Sequence, residues 1–208
     1  MPVFPAKTPK LIQRLFPKYI WKKASLDKTL YLTFDDGPTP EITQWTLDTL
    51  AQYDAKATFF CIGENVTKYP DIFKSVAKAG HVIGNHTFNH LKGWHTHTDR
   101  YIDNTLKAQQ VIAPNSNGLF RPPFGKIKGS QAKQLLSKGY KIVMWSVLSY
   151  DWEVKVTQEQ CLKNVIKHAT SGSIVVFHDS VKASKNMQYT LPKVLDYFSK
   201  KGYTFKSL

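Results

Sequence analysis

Apolar and polar positions change rhythm along the chain. Short runs dense in β-branched and aromatic residues, such as Leu30-Tyr31-Leu32-Thr33-Phe34 and Ile174-Val175-Val176-Phe177, alternate with stretches whose apolar residues recur at roughly helical spacing. Ile42, Trp45 and Leu50 follow this second rhythm, as do Ile72, Val76 and Ala79. The runs predict strands at residues 30–34, 57–62, 81–84, 118–121, 141–147 and 173–178, with helices between them. Strand and helix taking turns in one chain predicts an α/β fold with a mostly parallel sheet, open or closed into a barrel. No internal repeat or linker interrupts the pattern.

Composition narrows the class. At 208 residues and 42% hydrophobic content the chain can bury a substantial single core without disulfide staples. The charge is lopsided, with 29 Lys and Arg against 15 Asp and Glu, a formal net of +14. Nucleic acid, an anionic membrane surface and a polyanionic polymer are the partners that such a field attracts. Residues 1–28 hold seven of these cations (Lys7, Lys10, Arg14, Lys18, Lys22, Lys23 and Lys28) against one acid, Asp27, for a local net of +6. With prolines at 2, 5, 9 and 17, this segment reads as a basic extension. We expect it to pack over a domain of residues 29–208 through Leu11, Leu15, Phe16, Ile20 and Trp21; an amphipathic membrane-surface segment is the sharper alternative. Cys61 and Cys161 show no paired spacing, and Cys61 lies in an apolar run as a buried small hydrophobe would. Neither a membrane-spanning stretch nor a cleavable signal is visible, which leaves a cytoplasmic or envelope-associated chain.

The polar residues of interest fall just after the predicted strands, where α/β folds place their sites. Thr33-Phe34-Asp35-Asp36-Gly37-Pro38 sets two acids before a turn, and adjacent residues leaving a strand point to opposite sides, so the two carboxylates can serve different purposes. In His86-Thr87-Phe88-Asn89-His90 two imidazoles stand four residues apart, a workable metal-ligand spacing if the segment is a helical turn. Two His and one Asp would leave a coordination position for water, as in catalytic zinc sites. His95 and His97 are rivals as ligands, although a polar loop suits solvated histidines; His81 and His168 read as structural. Arg121 before Pro122-Pro123-Phe124-Gly125, the pair Asp151-Trp152, and His178-Asp179 complete a series in which most predicted strands end in Asp, His or Arg.

Taken in order, Thr33 to Pro38, His86 to His90, Arg121 to Gly125, Asp151-Trp152 and Val176-Phe177-His178-Asp179 resemble the five motifs of the NodB-type polysaccharide deacetylases, carbohydrate esterase family 4. The resemblance spans roughly residues 30–208. It implies a distorted (β/α) barrel with fewer than eight strands and a metal-dependent deacetylase of N-acetylated sugars. It further implies Asp36, His86 and His90 as metal ligands, Asp35 as general base and His178 as general acid. Arg121 would orient Asp35, and Asp151 would tune His178. The Phe124 N–H would stabilise the oxyanion, and Trp152 and Val176 would line the acetyl pocket. One departure stands out: many relatives carry an Asp three residues before the Asp-Trp pair, where this chain has Leu148.

The expected activity is removal of N-acetyl groups from an N-acetylglucosamine polysaccharide such as peptidoglycan or a chitin oligomer. The ion would be Zn²⁺, with Co²⁺ or Ni²⁺ also fitting a His₂Asp set. The alternatives are an O-acetyl esterase on acetylated xylan-like polymer and a non-catalytic glycan-binding relative. The partner is then the glycan and no specific nucleic acid, since no nucleic-acid-binding motif accompanies the charge. We expect a monomer, with peripheral contact to an anionic membrane or cell-wall surface through the basic segment.

Overall fold

Why the apolar runs are unbroken is clear from the sheet they build. The computed structural model describes residues 5–24, 27–113 and 115–208. Strands β1 (Thr29–Asp35), β2 (Thr58–Cys61), β3 (Val82–Asn85), β4 (Ser116–Phe120), β5 (Lys141–Ile142), β6 (Val147–Leu148) and β7 (Ile174–His178) pair in parallel, in the order β5-β4-β3-β2-β1-β7-β6. A short β8 (Thr204–Phe205) lies off this path, parallel to the start of β1. Both faces of such a sheet are covered, so β1 is buried at every position. The result is the distorted (β/α) barrel, with fewer than eight strands in its path, that the family resemblance implied.

Alternation along β1 sorts its side chains. Leu30, Leu32 and Phe34 face the helices and join the main core, whereas Tyr31, Thr33 and Asp35 occupy the alternate positions on the opposite face. Phe34 stands in register with Phe59 on β2 and Phe177 on β7, and their ring centroids are 4.9 and 5.9 Å away. Burying a side chain of this size contributes about 1.5–3 kcal/mol. Over these rings pack α2 (Ile42–Ala51), through Leu47 and Leu50, and α8 (Ser184–Ser199), through Met187, Leu191 and Val194. The remaining layer is α3 (Gly63–Lys68), α4 (Pro70–Lys78), α5 (Thr98–Ile112), α6 (Gly129–Ser137) and α7 (Gln158–His168).

Two expectations change here. The single strand foreseen over residues 141–147 is two short strands at opposite edges of the sheet. Residues 143–146 cross between those edges, where the Ser146 N–H donates to the Ile174 carbonyl (3.1 Å) instead of continuing the β4 ladder. An apolar run cannot reveal a change of partner midway. The basic N-terminal segment also behaves differently. It contains α1 (Lys10–Leu15) and runs as a strap along the crossing, with bonds from Ile20 N–H to Ile142, Met144 N–H to Ile20 and Leu148 N–H to Ala6, each 2.8 Å. Trp21 is buried in it, but Leu11, Leu15 and Phe16 are exposed rather than packed. Backbone pairing along the two edges, more than side-chain burial, holds the strap down.

Candidate active site

Five strands, β1, β3, β4, β6 and β7, deliver a polar side chain at or just after their carboxyl ends. Asp35 ends β1 with its side chain among the buried interior residues. Its Oδ1 accepts a 2.7 Å hydrogen bond from Nη1 of Arg121, the residue after β4. Arg121 is wholly buried, and each part of its fork is used: Nη1 also donates to Thr33 Oγ1 (2.8 Å), Nη2 to the Met144 carbonyl (3.0 Å) and Nε to the Val143 carbonyl (3.3 Å). Its guanidinium lies 4.1 Å from the centroid of the Phe60 ring. Burial pulls its pKa down, and the Asp35 carboxylate opposes that shift.

Asp36 turns the other way because its backbone enters the left-handed region, at φ 79°. Its Oδ1 lies 3.2 Å from Nε2 of His90 and 3.6 Å from Nε2 of His86, yet it is buried without a hydrogen-bond partner among the described residues. His86 Nδ1 is 2.7 Å from the Arg121 carbonyl, which can only accept; Nδ1 therefore carries the proton and Nε2 presents a lone pair. Burial pulls the His86 pKa down to about 4, against the opposing pull of Asp35 and Asp36, so its imidazole is neutral at pH 7. For Asp36, burial raises the pKa, but contact with His90 and the fields of His178 and His86 outweigh it and hold the carboxyl well below its usual range. Electron-pair donors turned on one point repel one another unless a cation or proton lies between them, so this set fits a divalent ion. Among the described residues it is the single cluster with that geometry, and His95 and His97 lie outside it.

The segment from His86 to His90 is not the helical turn that the spacing suggested. It is a loop in which Thr87 (φ 64°) and His90 (φ 53°) both take left-handed conformations. Buried Asn85 sets it, its Oδ1 accepting from the Thr87 N–H (2.8 Å), and Asn104 Oδ1 accepts from the Phe88 and Asn89 N–H groups. Phe124 (φ 59°) and Tyr150 (φ 65°) are left-handed too. Five of the seven non-glycine residues with positive φ therefore surround this site, each costing about 1–3 kcal/mol that the rest of the fold must offset.

On β7, in register with Asp35, His178 Nδ1 meets Asp151 Oδ1 at 2.8 Å, and Asp151 Oδ2 accepts from the His178 N–H at 2.7 Å. Burial would lower the His178 pKa, but the Asp151 carboxylate overrides it and raises the value to about 9. The Trp152 ring stands edge-on to His178 at 4.6 Å. Leu148, Tyr150 and Val176 form a small buried apolar cluster with Trp152 and Trp145 against it. Leu148, at the position singled out as a departure from the family pattern, is thus part of an apolar wall. Phe124 is half exposed, with its ring 4.6 Å from that of His90.

Sequence reasoning assigned no role to a set of residues that fixes the turn after β1. The carbonyl of Asp36 accepts from Asn65 Nδ2 (2.8 Å), and the Gly37 carbonyl accepts from the Ile62 N–H (3.0 Å). The Gly37 N–H donates to Asp179 Oδ1 (3.2 Å), while Thr43 Oγ1 donates to Asp179 Oδ2 (2.6 Å). A Cβ on Gly37 would collide with the buried Asp179 carboxylate, so the turn requires glycine here. Burial, reinforced by Asp36 and Asp35, pushes the Asp179 pKa up to about 8 against the Thr43 bond. The one signal available beforehand was an acid directly following an apolar strand. Of the remaining candidates, His81 is buried and accepts from the Ala57 N–H, and Cys61 and Cys161 are buried free thiols.

Residues 22–143 match the family model for polysaccharide deacetylases. A Bacillus cereus peptidoglycan-N-acetylglucosamine deacetylase is 37% identical over 189 residues, 89% of this chain and 88% of that protein. Another from Bacillus cereus is 36% identical over 181 residues, 85% of this chain but 66% of the longer relative. Among solved structures, a peptidoglycan N-acetylglucosamine deacetylase in complex with 4-naphthalen-1-yl-N-oxidanyl-benzamide superposes with a TM-score of 0.88 at 32% identity, covering 97% of this chain and 95% of that one. With a family match over more than half its length, full-length relatives above 30% identity and the same curled parallel sheet, the chain belongs to the NodB-type polysaccharide deacetylases of carbohydrate esterase family 4.

Proposed function

We propose that the protein is a metal-dependent deacetylase that hydrolyses the acetamide of N-acetylglucosamine residues in a peptidoglycan-type glycan. The observation that carries this reading is the meeting, at the carboxyl end of one sheet, of a carboxylate and two imidazoles fit for a cation, a second carboxylate fixed by a buried arginine, and a carboxylate-bound histidine. Asp36, His86 and His90 would hold the ion. When bound there, a divalent ion polarises the amide carbonyl and lowers the pKa of water from ~15.7 towards ~7.

The chain's own groups divide the remaining work. Asp35, held in place by Arg121, accepts a proton from the attacking water as the C–O bond forms. The Phe124 N–H donates to the oxygen that gains negative charge. His178 delivers its proton to the nitrogen as the C–N bond breaks, giving acetate and the free amine. Leu148, Tyr150, Trp152 and Val176 form an apolar wall that suits the acetyl methyl.

Acetate release from N-acetylglucosamine oligomers and from peptidoglycan tests the reading. Release is expected, with loss after exhaustive chelation and recovery on adding Zn²⁺, Co²⁺ or Ni²⁺. Release only from acetylated xylan would make the enzyme an ester hydrolase, and glycan binding without release would make it a non-catalytic relative.

The Asp151 contact carries a pH prediction. His178 acts as an acid, so activity falls as pH rises through its pKa, and Asp151 is what holds that pKa near 9. Asp151→Asn removes the negative charge and lets burial dominate. The alkaline limb of the kcat profile is therefore expected to move to lower pH, with metal content unchanged. An unmoved limb would disconnect Asp151 from the proton donor.

A further inference from the structure

The strap displays side chains that the fold does not use. On and just after α1, Leu11, Ile12, Leu15 and Phe16 are 66%, 39%, 62% and 46% exposed. Leu11 with Leu15 and Ile12 with Phe16 are spaced four apart, so they form two neighbouring rows on one side of the helix, and Lys10 with Arg14 form the next row. Lys18 follows just beyond. Among the described residues no carboxylate pairs with Lys7, Lys10, Arg14 or Lys18. The element is also fastened at both ends to the rest of the fold: before it the Thr8 N–H donates to the Ser146 carbonyl (3.0 Å) and Thr8 Oγ1 to the Trp145 carbonyl (2.9 Å), and after it the Ile20 N–H donates to the Ile142 carbonyl (2.8 Å). Four exposed apolar side chains are thus presented beside unpaired cations by an anchored element, not by a loose end.

We propose that this face is a docking surface for an anionic lipid bilayer, with Leu11, Ile12, Leu15 and Phe16 entering the interface and Lys10, Arg14 and Lys18 meeting lipid headgroups. The pairing of a bordering cationic row with an exposed apolar row is what such a surface requires. A second copy of the chain fits less well, because it would bring the same cations against themselves on a protein of net charge +14. Nucleic acid would engage the cations but leave the aliphatic rows in water. The proposal is independent of the deacetylase reading, since no residue of the face belongs to the site.

Co-sedimentation of the full chain with phosphatidylcholine vesicles, with and without phosphatidylglycerol, tests it. Binding is expected only when the anionic lipid is present. Lys10→Gln, Arg14→Gln and Lys18→Gln together should weaken it by about 10²-fold. Leu11→Ser with Leu15→Ser should weaken it by at least about tenfold while leaving cation number unchanged. Both variants should retain wild-type circular dichroism and the same acetate release from a soluble oligomer. Three results would overturn the proposal: no affinity for the anionic vesicles, unchanged binding in the leucine variant, or a dimer in solution that the leucine variant converts to monomer.

Discussion

Asp36→Ala is expected to yield a folded protein that retains almost no divalent ion and releases acetate at the background rate. The substitution removes the one carboxylate of the cluster, leaving two imidazoles that cannot hold the ion alone. The informative comparison is His178→Ala, which removes a proton donor while sparing all three candidate ligands. It should keep full metal content, and kcat should fall by about 10²–10⁴-fold. Metal analysis of both purified variants beside their turnover separates the two roles. Equal metal loss in both, or full turnover in either, would dismantle the assignment.

The second large effect concerns stability. Arg121→Met keeps much of the side-chain volume but strips four acceptors of their donor, including the buried Asp35 carboxylate. Breaking a buried pair by deleting one partner costs about 3–5 kcal/mol, because the surviving charge is stranded in a poorly polarisable surrounding. Urea unfolding should show a loss of that size. Adding Asp35→Asn to Arg121→Met should recover a large part of it without recovering activity. A single variant as stable as wild type would mean that Asp35 finds another counter-charge.

Much of this was legible in the sequence because parallel strands are apolar throughout, so that polar residues at their ends stand out. Asp35, Asp36, Arg121, Asp151 and His178 stand out in that way, and contacts link them at the carboxyl end of the sheet, Asp35 to Arg121 and His178 to Asp151 on neighbouring strands. What escaped reading depends on long-range partners. Nothing local tells that Asn65 reaches the Asp36 carbonyl or that Asp179 caps the Gly37 N–H 142 residues away. The loop between His86 and His90 was hidden for a related reason: a four-residue histidine spacing suits a helix, and the buried Asn85 that forbids one acts through its own hydrogen bonds. Leu11 and Leu15 misled because helical spacing of apolar residues signals a face without saying whether protein covers it. The short β8 carries too few residues to show any period.

The strap along the sheet edges also constrains the order in which the molecule can be completed. It precedes every strand in the chain, yet the carbonyl that receives the Thr8 hydroxyl belongs to Trp145, 137 residues later, and Thr33 of the central strand waits 142 residues for Val175. A chain emerging from its amino end must therefore keep Ile20 and Trp21 without their final neighbours until β5 and β6 have been synthesised. Contacts this distant in sequence slow folding and prolong the life of species with open strand edges. Sealing of the sheet edges by the strap is then a late event. Protection of the Ile20 and Met144 amides should be acquired after that of β1 and β2, so a segment synthesised ahead of every strand is among the last to settle.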